Sequence, residues 1–252
     1  LIDIIAEYDA VVVRSASKIT SKIISKAKNL KVIGRAGIGV DNIDIKSATD
    51  NGIVVMNTPY GNSITTAEHT ISLMMSLARN IPQANESTHS KKWEKSKFMG
   101  SEIFGKTLGM IGCGNIGSLV AERSLGLKMK VLVYDPFLSD EQVKSIGAKK
   151  VDLEELLQVS DFITLHTPLT SETSGILNKD SLFKCKKGVR IINCARGGLI
   201  IENDLVNSIK EGHVAGAALD VFSEEPPKNE NLFGLSGLIL TPHLGASTSE
   251  AQ

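Results

Sequence analysis

Apolar residues in this chain come in short unbroken runs separated by stretches with helical spacing. The runs, at 10–14 (AVVVR), 30–33, 53–57 (IVVMN), 107–111, 131–134, 162–166, 189–193, 214–219 and 238–240, are rich in Val, Ile and Leu. Unbroken apolar character of that length marks strands buried on both faces, as in a parallel sheet. Between them, the spacing predicts helices over 17–27, 44–50, 63–79, 140–146, 152–159 and 202–210. Strand and helix alternating in this way predicts βαβ units and an α/β fold.

Pro59 and Gly61 interrupt the alternation and mark a boundary between two α/β units. The helix over 63–79 carries Ile64, Ala67, Ile71, Met74, Met75 and Ala78 on one stripe, which reads as core. Thr65 and Glu68 have the spacing of a capping arrangement. Residues 82–104 are polar and weakly periodic, and read as a long loop holding the only Trp, Trp93, followed by Phe98-Met99-Gly100. Two readings stand for this loop: a contact between subunits, where such residues are enriched, or a segment pinned to its own core.

The stretch from Thr107 to Asp135 is the most specific in the chain. An apolar run meets Gly112-Cys113-Gly114-Asn115-Ile116-Gly117, helical spacing follows through Leu125, and a second run ends on Asp135. Gly112 permits the tight turn, Gly114 lets the backbone approach a pyrophosphate, and Gly117 allows close helix–strand packing. The N–H groups that open the helix attract phosphate. Asp135, about 20 residues beyond Gly112, is placed for a ribose hydroxyl, so the stretch predicts a dinucleotide site. An acid at that tip would repel a 2′-phosphate, which favours NAD over NADP. From Thr107 onward the pattern gives six strands, the number of a complete dinucleotide domain.

Composition narrows the partners. The 252 residues are 42% hydrophobic and 22% charged, with 28 basic and 28 acidic residues for a net charge of zero. That balance gives no support for nucleic acid or an anionic membrane as partner. No apolar run approaches the ~18 residues of a spanning helix, and no secretory signal opens the chain. Three cysteines, Cys113, Cys185 and Cys194, show no disulfide spacing and suit a reducing, cytoplasmic setting. Cys113 and Cys194 flank glycine loops and read as small packing residues. The chain opens without Met and stops inside a helix-like start, as expected of a piece of a longer protein.

The strand ends carry the chemistry. Arg196, Asp220, Glu224, Glu225 and His243 follow the last strands, and fold logic puts them on the side of the Gly112 turn. A histidine suits removal of a hydroxyl proton near neutral pH. A carboxylate beside it would fix its tautomer. A guanidinium holds a substrate carboxylate through two parallel bonds. Arg14, Arg35 and Asn57 fall at strand ends of the first unit, where the two arginines read equally as an anion site or as solvated surface residues. His166 ends a strand on the ligand side and reads equally as a structural histidine or a cofactor contact. His69, His89 and His213 read as structural. No His or Cys spacing matches a metal site, so no metal is expected.

Taken together, VVRSASKIT, GRAGIGVDNID, NTPYGNS, WEKSKFMG, IGCGNIG, HTPLT, NCARGG, ALDVFSEEPP and PHLGAST resemble the D-2-hydroxyacid dehydrogenases over essentially the whole chain. The resemblance implies a Rossmann-type doubly wound parallel sheet (60–247) plus a second, smaller flavodoxin-like α/β substrate-binding domain (1–59). That smaller domain would be incomplete here, with 248–252 beginning the return segment. It implies Arg196, Glu225 and His243 as the catalytic set, with Arg196 on the substrate carboxylate and Glu225 paired to His243. Asn115, Ile116, Asp135, Thr167, Pro168, Cys194, Ala195, Asp220 and Gly245 match cofactor-contacting positions, beside the glycines of the turn. Arg14, Arg35, Gly37 and Asn62 match positions near the substrate. Trp93 to Gly100 matches a dimer segment, from which Lys95 would reach the partner's site. Ile38 departs from relatives that carry Thr there.

The implied reaction is NAD-dependent oxidation of 3-phospho-D-glycerate to 3-phosphohydroxypyruvate, at the start of serine synthesis, by a homodimer or homotetramer. Glyoxylate/hydroxypyruvate reduction is the nearest alternative. A NAD-sensing, corepressor-like binding protein on the same scaffold is the alternative of another class.

Overall fold

The computed structural model describes residues 1–251. They fall into two units, 1–63 with Ala251, and 64–250. The last residue of the expected return segment, 252, lies outside the described residues.

The first unit is a three-stranded parallel sheet in the order β1 (Ala10–Val13), β2 (Val32–Arg35), β3 (Val54–Asn57). Ile33 pairs with Val11 on one side and Val55 on the other. Two short helices connect the strands, α1 (Ser21–Ile24) and α2 (Ile45–Asp50). Helix α2 starts where the Asp44 side chain accepts from the Ser47 N–H, which satisfies an orphan donor of the first turn. Ile5, Val13, Ile19, Ile24, Ile33 and Ala48 bury one face of the sheet, while Val12, Val54 and Met56 leave the other face exposed. The helix expected over 17–27 is shorter than its pattern, because Ile19 bridges Ile43 in extended form and Thr20 stays extended before the first turn.

The second unit holds α3 (Ser63–Arg79, which begins one residue before the division) and a seven-stranded, all-parallel sheet. Its strands are β4 (Thr107–Ile111), β5 (Lys130–Tyr134), β6 (Lys149–Lys150), β7 (Phe162–Leu165), β8 (Val189–Asn193), β9 (Val214–Leu219) and β10 (Leu238–Leu240). The spatial order is β10-β9-β8-β7-β4-β5-β6. Order reverses between β4 and β7, the point at which a doubly wound sheet opens a crevice at its carboxyl edge. A further helix, α4 (Ile81–His89), lies between α3 and β4. Helices α5 (Asn115–Gly126), α6 (Asp140–Ser145), α7 (Leu153–Val159), α8 (Lys179–Lys184) and α9 (Glu202–Lys210) complete the crossovers. The sheet is apolar on both faces, as its unbroken runs require: β7 is buried at every position and two separate clusters cover its sides.

Several elements differ from their sequence expectation. The stretch 82–104 is not one loop. It contains most of α4, opened by Pro82, and a short 3-10 turn at Lys95–Phe98. Helix α4 buries no residue, so no apolar stripe announced it. Thr65 lies inside α3 rather than before it, and Glu68 reaches Arg123 at 3.6 Å, so the expected capping arrangement is absent. The sheet has a seventh strand, β6, whose two lysines carry no apolar signal. Helix α8 rests on a capping box between Asn178 and Ser181 rather than on apolar periodicity.

Candidate active site

Because every strand pair in the second unit is parallel, the carboxyl ends of β4, β5, β7, β8, β9 and β10 share one edge. The glycine turn stands at the switch point. Gly112 has φ +88, and a Cβ there would lie 2.6 Å from the His166 carbonyl oxygen, so only glycine fits. Gly114 faces open space and caps the N-terminus of α5, while Gly117 is buried against Gly112. Asn115 and Ile116 occupy the first turn of α5. Asp135 is buried, its Oδ2 accepting from Cys113 N at 2.9 Å and its Oδ1 from Phe137 N at 2.9 Å. Its carboxylate therefore ties the tip of β5 to the glycine turn. The open cradle at Gly114, the helix N-terminus and the carboxylate beside them fit a dinucleotide.

His166 follows β7 and its Nε2 lies 3.0 Å from Thr164 Oγ1. Burial pushes its imidazole down to about 4, so it is neutral near pH 7. Thr167 and Pro168 continue this tip, Thr173 Oγ1 donating to the Pro168 carbonyl at 2.6 Å. Cys194, Ala195 and Arg196 leave β8 in a turn held by Asn193, whose Oδ1 accepts from Ala195 N at 3.0 Å and whose Nδ2 donates to the Arg196 carbonyl at 2.8 Å. Arg196 Nη1 donates to the Ala195 carbonyl at 2.7 Å. Burial pushes the Cys194 thiol up to about 12. It pushes Cys113 up to about 11, with Asp135 adding to the effect.

Past β9, Phe222 N donates to Glu225 Oε1 at 3.2 Å. The other oxygen, Oε2, lies 2.7 Å from Nδ1 of His243, which follows β10. His243 has φ +54, a conformation uncommon outside glycine. Its turn is fixed by Asp220, which is fully buried at the end of β9. Asp220 Oδ1 accepts from Leu244 N at 2.7 Å and from Thr241 Oγ1 at 2.5 Å, and Oδ2 accepts from Gly245 N at 2.8 Å. Burial works to raise this carboxyl, but donors from His69, Thr241 and Leu244 outweigh it and hold the group below the usual carboxylate range.

Sequence reasoning missed His69. From the middle of α3 its Nε2 lies 3.2 Å from Asp220 Oδ1. His69, Cys194 and Asp220 place ligand-type atoms within 4.8 Å of one another, a cluster no sequence spacing reveals. The Thr241 hydroxyl and two backbone N–H groups already occupy the carboxylate oxygens there. His213 is structural, with Nε2 2.9 Å from the Cys185 carbonyl and its ring stacked on Phe183.

Within the first unit, Arg14 directly follows β1, while Arg35 and Asn57 end β2 and β3. The Arg35 guanidinium lies across Gly37, in the space that a Cβ there would fill. Gly37 N donates to Thr58 Oγ1 at 2.8 Å, and Asn57 Nδ2 donates to the Ile38 carbonyl at 2.8 Å. Asn62 Oδ1 is buried without a hydrogen-bond partner among the described residues.

An all-parallel doubly wound sheet with a glycine turn at its switch point and an imidazole–carboxylate pair on the same edge is the scaffold of a nicotinamide-dependent oxidoreductase. Residues 71–245 match the D-isomer specific 2-hydroxyacid dehydrogenase, NAD binding domain, and the chain belongs to that family. It is 54% identical to the D-3-phosphoglycerate dehydrogenase of Bacillus subtilis over 97% of this chain and 47% of that protein. The chain thus spans about half the length of the curated relatives it matches. Two solved structures resemble it. D-lactate dehydrogenase from Aquifex aeolicus, complexed with NAD and lactic acid, has a TM-score of 0.92 and 30% identity, over 100% of this chain and 80% of that one. A glyoxylate reductase from Paecilomyes thermophila also has a TM-score of 0.92, with 33% identity, over 99% of this chain and 79% of that one. No helix among the described residues is long and apolar enough to cross a membrane.

Proposed function

We propose that this chain belongs to an enzyme that oxidises 3-phospho-D-glycerate to 3-phosphohydroxypyruvate with NAD. The observation that carries the reading is the 2.7 Å contact between His243 Nδ1 and Glu225 Oε2 on the sheet edge that bears the glycine turn. With Nδ1 held by the carboxylate, Nε2 is the nitrogen left to take the substrate's 2-hydroxyl proton in oxidation and to return it in reduction. Glu225 stabilises the imidazolium that forms. Arg196 grips the substrate carboxylate and polarises the developing carbonyl. When bound, NAD supplies the hydride acceptor, and the residues that would hold it are Gly112, Gly114, Asn115, Ile116, Gly117 and Asp135, with Thr167, Pro168, Cys194, Ala195, Asp220 and Gly245 at neighbouring strand ends.

Arg14, Arg35, Gly37 and Asn62 are proposed on the substrate side. Two guanidinium-bearing strand ends suit a phosphorylated acid better than an unphosphorylated one. The names of the relatives that are 54% identical support the same choice. The structural likeness to a glyoxylate reductase favours hydroxypyruvate or glyoxylate as the second reading. A substrate panel on the full-length protein, followed by NADH absorbance, tests both. Turnover of hydroxypyruvate far above phosphohydroxypyruvate rejects the phosphate claim, and no turnover of any 2-hydroxy or 2-oxo acid favours a NAD-sensing binding protein.

The exposed Trp93 and Met99, on a segment that buries nothing of its own, support a homo-oligomer with this segment at the subunit contact.

A further inference from the structure

We propose that His69 is a positioning residue for the reaction, acting through Asp220 on the turn that carries His243. The inference rests on the dehydrogenase reading above and extends it to a residue that touches neither substrate nor cofactor there.

Thr66, His69 and Thr70 stand three and four positions apart on α3, so their side chains share one side of the helix. Thr66 and His69 each meet a different strand tip or turn. Thr66 Oγ1 donates to the Gly245 carbonyl at 2.9 Å. His69 Nε2 lies 3.2 Å from Asp220 Oδ1 and 3.4 Å from Thr241 Oγ1. Thr70 Oγ1 donates to the Thr66 carbonyl at 2.9 Å, and the Cys194 sulfur lies within 4.8 Å of a His69 ring nitrogen. The helix thus bonds the tip of β9 and the turn after β10, and comes near the tip of β8.

Asp220 is the centre of this contact. Its fully buried carboxylate holds both ends of the turn, through Thr241 on one side and the Leu244 and Gly245 N–H groups on the other. His243 lies between those anchors at φ +54, a strained conformation that persists only where its surroundings impose it. A buried carboxylate keeps its place only while its donors are complete. Thr241, Leu244 and Gly245 all belong to the turn itself, whereas His69 reaches Asp220 from a separate helix, and its side chain is only 18% exposed. Removing it leaves Asp220 free to follow the turn rather than to fix it. The His243 imidazole then loses its register with Glu225. The titratable groups facing His69 are Asp220 and Cys194.

The proposal requires an Nε2-like donor rather than a charge or a volume. His69→Gln supplies that donor, and His69→Leu fills similar space without it. In the full-length protein with NAD, His69→Leu is expected to lower kcat between about tenfold and a hundredfold while KM for the acid changes less than about threefold. His69→Gln is expected to restore kcat to within about threefold of the wild type. Amide hydrogen exchange at Leu244 and Gly245 reads the clamp without turnover, and is expected to quicken about fivefold in His69→Leu alone. If His69→Leu does not fold, His69→Asn, whose amide stops short of Asp220, is read in its place. Unchanged kcat, unchanged exchange, or failure of Gln to rescue each overturns the proposal. A wild-type protein inactive on every acid, but with exchange that responds to His69, overturns the dehydrogenase reading and leaves the clamp standing.

Discussion

His243 and Glu225 are 18 positions apart in the chain, and Nδ1 of one lies 2.7 Å from Oε2 of the other. The second oxygen of Glu225 accepts the Phe222 N–H, so the carboxylate is held at its base while it faces the ring. A pair built in this way fixes which ring nitrogen is left to meet a substrate.

Removing the imidazole should therefore stop the chemistry and spare cofactor binding. His243→Asn is expected to lower kcat by about 10²- to 10⁴-fold. Its NAD affinity, read by fluorescence titration, should stay within a few fold. A matching loss of NAD affinity would show that His243 serves the cofactor instead.

The Arg196 turn packs too closely for any side chain at its next position. A Cβ on Gly197 would collide with the Phe222 carbonyl, against backbone that cannot rotate away. Gly197→Ala is expected to cost about 1–3 kcal/mol, a fall of roughly 2–12 °C in the melting temperature. Differential scanning calorimetry of the two proteins checks it, and an unchanged Tm refutes it.

His166 makes stability depend on pH. Its folded-state value of about 4 lies below the ordinary 6.5, so below pH 6.5 the unfolded chain binds the proton more readily than the folded one. Stability from this group is complete above pH 6.5 and falls as pH drops toward 4. The loss is on the order of 2 kcal/mol for a ring that keeps some contact with solvent. Urea unfolding of wild type and His166→Asn at pH 7 and pH 5 isolates it. Equal pH slopes in the two proteins would remove His166 as the cause.

The three thiols should be silent in the native state. All are buried, and burial pushes Cys113 to about 11 and Cys185 and Cys194 to about 12. At pH 8 the thiolate of Cys113, the most acidic of the three, is on the order of one part in a thousand. A disulfide reagent is expected to label none within minutes at pH 8 and all three after denaturation. Rapid native labelling would mean that the glycine turn opens.

The exposed aromatic segment gives an oligomer test. Trp93→Glu with Met99→Lys is expected to shift sedimentation of the full-length protein toward a smaller species. An unchanged species would place the subunit contact elsewhere.

Much of this architecture is legible in the order of residues. In the second unit unbroken apolar runs fix parallel strands because both faces of the sheet are covered, and β8, β9 and β10 follow their runs residue for residue. The runs of β1 to β3 also give parallel strands, but one face of that sheet is exposed, against the expectation of burial on both. The glycine turn between β4 and α5 is legible because a tight turn and a close backbone approach exclude side chains. Elements without an apolar signal were not: β6 is two lysines at the sheet edge, and α4 buries nothing. Strand-end logic also gathered Arg196, Asp220, Glu224, Glu225 and His243, since parallel topology puts carboxyl ends on one edge, and the family resemblance singled out Arg196, Glu225 and His243 among them.

What sequence alone determined is which apolar strands exist, which way they run and which polar residues stand at their tips. Periodicity and turn chemistry are local, so they are written locally. Only the tertiary structure decided which tips touch. It turned Asp220 from a strand-end acid into the anchor of the His243 turn, and brought His69 from mid-helix to 3.2 Å from that anchor. Those contacts depend on how a helix face docks against strand ends far away in sequence, and no local pattern encodes that docking.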